Sequence, residues 1–113
     1  MKKEYRIKKN YEFQSIINNG KFKSNKSFVV YFSNAQLAHD RVGISVSKKL
    51  GNAVERNKYK RQVREMVKDI FNFSTGHDYI IICRKGFLNN DFASNKKDLS
   101  AIYNLVYNKE DKL

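Results

Sequence analysis

One stretch of about thirty residues limits the folds open to this chain. An alternating segment, Arg41-Val42-Gly43-Ile44-Ser45-Val46-Ser47, runs into a long segment of helical period. The first has the period of two that marks a strand with one buried face, with Val42, Ile44 and Val46 directed inward. Gly51-Asn52 breaks it. Asn52 can then cap a helix, with Glu55 three residues on as the reciprocal partner of a capping box. At about 100° per residue, Tyr59, Val63, Met66, Val67 and Ile70 fall on one face, and Arg56, Asn57, Lys60, Arg61, Arg64 and Lys68 on another. A helix split in this way docks on a core through one side and presents cations on the other.

The charge on that segment is concentrated. From Lys48 to Arg64 there are seven basic residues and one acid, a net charge of +6 within a chain total of +12. Arg56, Lys60 and Arg64 follow one another at single turns, and like charges at that spacing destabilise an isolated helix. A compensating anion is therefore expected. Guanidinium forks suit phosphate oxygens, Asn57 can add a neutral hydrogen bond, and Lys48 and Lys49 sit near the helix N-terminus, where free amides also favour an anion. The expected partner is RNA.

The rest of the chain reads as a small domain built around this unit. Its 113 residues, 41% hydrophobic and 13% aromatic, suffice for one core and argue against a disordered polycation. Residues 1–9 read as a flexible basic arm. Asn10 is a candidate cap for a helix over 10–19 carrying Phe13, Ile16 and Ile17, and Lys21 to Lys26 reads as a polar connector. Ser27 to Ser33 is a strand, expected to pair with the strand at 41–47 as an antiparallel hairpin. Asp78 to Arg84 is a third, central strand. Leu99, Ile102, Tyr103 and Val106 mark a last helix over about 94–107, with a frayed tail at 108–113. The whole is an α+β or α/β sandwich, a small sheet covered by helices.

Catalytic groups are sparse. His39 and His77, each beside an aspartate, could form a nuclease pair, but both are expected as solvated loop residues. The single Cys83 lies in an apolar strand and reads as a small buried hydrophobe; with no second cysteine there is neither an internal disulfide nor a zinc ligand set. No paired-carboxylate pattern suggests a metal held by the protein. No run approaches the roughly 18 apolar residues of a membrane span, and a cytoplasmic location is expected. If Phe28, Val30 and Phe32 face the core, Tyr31 faces the other way. There it could stack unpaired bases beside Phe13, or both rings could be buried in a satellite core.

The block from Arg41 to Lys49, with Gly51-Asn52-Ala53-Val54 and Arg56-Asn57-Lys58-Tyr59-Lys60-Arg61-Gln62-Val63-Arg64-Glu65, resembles the protein subunit of bacterial ribonuclease P. Ile7-Lys8-Lys9-Asn10, Phe13, the Phe28–Tyr31 strand and Asp78-Tyr79-Ile80-Ile81 extend the likeness over most of the chain. The resemblance implies an αβββαβα two-layer sandwich with a left-handed crossover, a departure from the usual handedness. It implies that the protein joins a catalytic RNA which removes the 5′ leader from precursor tRNA. On that basis the protein is an accessory subunit of an endoribonuclease, with Mg²⁺ held mainly by RNA and substrate and no protein oligomer required. By matching position, Lys48, Lys49, Arg56, Asn57, Lys58 and Arg61 are expected to face the catalytic RNA. Phe13, Ile17, Tyr31, Lys60 and Arg64 match positions that line a cleft for the single-stranded leader; Ile17 departs from the aromatic often found at its place. A structural RNA-binding protein with the same electrostatics, and an autonomous nuclease using the two histidines, are the rival expectations.

Overall fold

The computed structural model describes the backbone of residues 1–111 and the side chains of residues 1–107. Helix α1 spans Asn10–Asn19, strand β1 Lys21–Ser24, β2 Phe28–Asn34 and β3 Arg41–Ser45. Helix α2 spans Ala53–Ile70, β4 His77–Cys83 and α3 Phe92–Asp111. The frayed tail expected at 108–113 lies outside the residues whose side chains are described, although α3 runs to Asp111.

Four strands form one sheet in the order β1-β2-β4-β3. Two expectations change here. Lys21 to Lys26 is not merely a connector, because Lys21–Ser24 is an edge strand antiparallel to β2. Strands β2 and β3 do not pair with each other; β4 inserts between them, antiparallel to β2 and parallel to β3. Alternation had shown which side chains face inward, but not which strand lies alongside. The apolar β4, buried at six of its seven positions, takes the centre because only there are both of its faces covered.

The main core lies between one face of the sheet and helices α2 and α3. Phe28, Val30, Val42, Tyr79 and Ile81 meet Val63, Met66, Val67, Leu99, Ile102 and Val106 there. Val42 and Val46 are buried and Ile44 packs against the same cluster, as the alternation required. Helix α1 covers part of the opposite face through a smaller cluster of Ile7, Ile16 and Ile80, with Phe13, Ile17 and Tyr31 packed against it. Its cap differs from the sequence expectation: Asn10 is the first helical residue, and Lys9 occupies the N-cap with no side-chain bond. Gly20 ends the helix where a Cβ would lie 2.5 Å from the Ile16 carbonyl oxygen and 2.6 Å from that of Phe32, so the chain turns tightly into β1.

The segment expected as a free arm is laid along the sheet. Arg6 forms a parallel bridge with Val42, the Ile7 amide donates to the Val42 carbonyl at 3.0 Å, and the Ile7 side chain is buried. Burying one isoleucine and adding a bridge fixes a segment whose charges alone suggested a solvated tail.

Candidate nucleic-acid interface

Helix α2 begins as its sequence specifies. The Glu55 amide donates to Asn52 Oδ1 and the Asn52 amide to Glu55 Oε1, both at 2.9 Å. Val63, Met66 and Val67 are fully buried, while Tyr59 and Ile70 flank them, the Tyr59 ring standing edge-on to Phe87. With that stripe fixed, Asn57, Lys58 and Arg61 are exposed and Arg56, Lys60 and Arg64 are half-buried. Lys48 and Lys49 are exposed on a single 3₁₀ turn, Lys48–Leu50, just before the helix, where Ser47 Oγ accepts from the Lys49 amide.

The cations therefore divide into two groups. Lys48, Lys49, Asn57, Lys58 and Arg61, with Arg56 at its margin, make an outward ridge. Lys60 and Arg64 instead turn toward a cleft of about 460 Å³ between α1, the N-terminal segment, β3 and α2. Phe13 and Ile17 from α1 line the same cleft, so four of the five residues matched to leader binding converge. Tyr31 does not line it. Its ring is half-buried in the cluster beneath α1, between the open platform and the closed satellite core that the sequence allowed. Gly43 makes room for a cleft residue: a Cβ there would approach Phe13 Cζ to 2.6 Å and Ile80 Cδ1 to 2.8 Å. The bare backbone lets the Phe13 ring lie against the sheet.

The cleft carries four basic side chains, Arg6, Lys8, Lys60 and Arg64, and no acidic one. Burial lowers the Arg64 pKa from its ordinary value, and the positive fields of Arg6 and Arg61 lower it further. Sequence reasoning missed Arg6, having assigned it to a free arm. Its Nε is buried without a hydrogen-bond partner among the described residues, and so is that of Arg56. The signal was Ile7, a lone apolar residue between basic neighbours in a short extended run. Among the described residues, the ion pairs join Arg41 to Glu12 at 2.8 Å and to Asp78 at 3.0 Å, and Lys96 to Asp69 at 2.9 Å. None neutralises the ridge or the cleft.

The other candidate groups serve structure. Asp40 accepts hydrogen bonds from the amides of Thr75, Gly76 and His77 and from the Thr75 hydroxyl, which ties the end of the α2–β4 loop to the start of β3. His77 is buried at the head of β4, edge-on to Phe32, and not the solvated loop residue expected. The cause is its place in the central strand. His39 Nε2 donates to the Glu4 carbonyl at 2.9 Å and its ring meets Tyr5, so the two histidines have separate surroundings. Cys83 is buried, and burial pushes its thiol up to about 12, which leaves it protonated and unreactive at ordinary pH. The described residues contain no group of three or more His, Cys, Asp or Glu able to hold a metal, and Glu12, Asp40 and Asp78 already accept from neighbours. This donor set does not fit a Mg²⁺ site belonging to the protein.

These features define a class: a basic α+β sandwich that presents an unneutralised helix face and a cation-lined cleft, the chemistry suited to a polyanion. Comparison with known proteins narrows it. The sequence model of the Ribonuclease P family matches residues 1–106. The ribonuclease P protein component of Mesoplasma florum is 45% identical over 104 residues, 90% of this chain and 94% of that protein. That of an Exiguobacterium species is 53% identical over 85 residues, 75% of each. The RNase P protein of Staphylococcus aureus superposes with a TM-score of 0.83 at 42% identity, covering 90% of this chain and 94% of that one. The RNase P protein of Thermotoga maritima gives 0.72 at 35%, covering 83% and 90%. The chain belongs to the ribonuclease P protein family. It is thus the accessory protein subunit of a tRNA 5′-processing endoribonuclease and associates with the RNA of that ribonucleoprotein. Among the described residues no helix is long and apolar enough to cross a membrane.

Proposed function

We propose that this subunit divides its two basic surfaces between two RNAs. The outward ridge of Lys48, Lys49, Arg56, Asn57, Lys58 and Arg61 lies against the catalytic RNA. The cleft of Phe13, Ile17, Lys60 and Arg64, with Arg6 beside them and Tyr31 packed in the cluster behind Phe13, holds the single-stranded 5′ leader of precursor tRNA. Cleavage of the scissile phosphodiester belongs to the RNA, and the Mg²⁺ it requires is held by RNA and substrate. The protein lengthens the grip on the substrate from the tRNA body onto the leader and lowers repulsion between the two RNAs.

The observation that carries this reading is the convergence at the cleft. Residues 13 and 17 of α1 and residues 60 and 64 of α2 are far apart in sequence, yet they enclose one opening with bases' natural partners on one wall and cations on the other. A single strand needs both, because rings or aliphatic groups take the bases while cations follow the phosphates. Arg6 strengthens the case. A buried guanidinium Nε without a partner, beside another arginine, is costly unless an anion completes it.

The test uses holoenzyme reconstituted with a bacterial catalytic RNA. Lys60→Ala and Arg64→Ala are each expected to weaken binding of precursor tRNA by about 1 kcal/mol or somewhat more, the scale of a lost charged hydrogen bond, and to leave mature tRNA nearly unaffected. Equal losses for both ligands would move these residues to the surface that meets the catalytic RNA.

A further inference from the structure

The leader cleft does not account for the most exposed ring on the sheet. Phe22 lies in edge strand β1, 57% exposed, between Lys21 and Lys23. It stands opposite Tyr31 in the antiparallel register, with ring centroids 5.4 Å apart and planes inclined by 44°. Since directly opposed residues share a face, Phe22 points to the side of the sheet that α1 covers. Tyr31 packs against the cluster that also holds Phe13 and Ile17, two residues of the cleft wall. Phe13, Tyr31 and Phe22 therefore lead stepwise from the cleft, under α1, to the rim of the sheet.

Resting on the leader-cleft reading above, we propose that Phe22 is a second stacking position for single-stranded RNA, taking a base of the leader that lies beyond the cleft. Charge identifies the occupant. The ring packs on Tyr31 through one side and leaves more than half of the residue exposed. A hydrophobic protein partner would have to accept Lys21 and Lys23 on either side of it, on a chain whose net charge is already +12. A polynucleotide meets the ring through a base and the lysines through its phosphates, and stacking of this kind is indifferent to base identity. The free edge of β1 leaves room for a strand to pass, because the sheet continues only toward β2.

The experiment measures affinity of reconstituted holoenzyme for precursor tRNAs whose leaders grow in single-nucleotide steps. With wild-type protein, affinity should rise as the cleft fills and rise again when the leader reaches Phe22. Phe22→Ala should remove the second rise, with a loss of about fivefold for long leaders, the lower end of what stacking one base contributes, and none for short leaders. Phe22→Trp should restore the rise, whereas Phe22→Leu, apolar but without a ring, should not. An identical length profile for wild type and Phe22→Ala, while Lys60→Ala and Arg64→Ala still lose affinity for leader-bearing tRNA, would overturn this inference alone. If those cleft variants also bound leader-bearing tRNA as tightly as wild type, the cleft reading itself would fall. Concentration-dependent dimerisation abolished by Phe22→Ala, with an unchanged leader profile, would reassign the ring to self-association and likewise overturn it.

Discussion

Arg41 ties helix α1 to the sheet through two carboxylates. Its guanidinium donates to Glu12 of α1 and to Asp78 of β4, and the hydrogen bond to Asp78 is the foremost cause of a pKa raised above the ordinary arginine value. The Asp78 side chain is 1% exposed and that of Arg41 11%, so water cannot replace either partner. Removing one member of such a pair leaves a buried charge behind. Arg41→Ala should therefore lower stability by about 3 kcal/mol, read as a fall in the urea midpoint with little change in slope. A loss well under 1 kcal/mol would mean that water reaches Asp78 in the variant. None of this was visible in the alternation of Arg41 to Ser47, which placed Arg41 on the polar side without naming its partners. The same limit hid Arg6: charge counts say how many cations a segment has, but not which of them fold back over a buried neighbour such as Ile7.

Elements were legible where local chemistry decides them. The course of α2 followed from its apolar period and from Asn52 and Glu55, because a capping box involves only four consecutive residues. Removing that cap should free the first turn of α2 and the Lys48–Leu50 turn ahead of it. Asn52→Ala is expected to cost about 1 kcal/mol in urea unfolding, and Asn52→Ser or Asn52→Asp much less. An unchanged midpoint for Asn52→Ala would mean that packing of Val63, Met66 and Val67 alone holds the helix. Helix α3 begins two residues earlier than its apolar spacing suggested, since Asp91 Oδ1 accepts from the Ser94 amide and caps it. Strand β1, counted in the fold that the resemblance implies, escaped the reading of local pattern because four residues, two of them lysine, offer only Phe22 as an apolar mark. Strand pairing escaped because it is not local. Partners β3 and β4 are brought together by the intervening α2, whose burial against the sheet is a property of the whole molecule.

At the scale of the molecule, the sheet places two basic surfaces at fixed positions relative to each other. Helix α2 contributes to both: the ridge on its outer side and Lys60 and Arg64 on the side toward α1. Composition and spacing located the ridge, and its charge is the ground for expecting a polyanion there. Convergence of α1 with α2 on one cleft needed either the resemblance or the coordinates, because no spacing along the chain brings residue 13 to residue 64. The net charge of +12, with no ion pair among the described residues along the ridge, leaves those cations free to attract a polyanion. Each cation on a phosphate releases condensed counterions, so the salt dependence of binding counts the contacts. The most direct measurement is affinity for the catalytic RNA across a series of salt concentrations, for wild type, Lys58→Ala and Arg61→Ala. If the ridge lies on RNA, each substitution makes the slope of log affinity against log salt shallower by about one. Slopes identical to wild type for both variants would contradict the account.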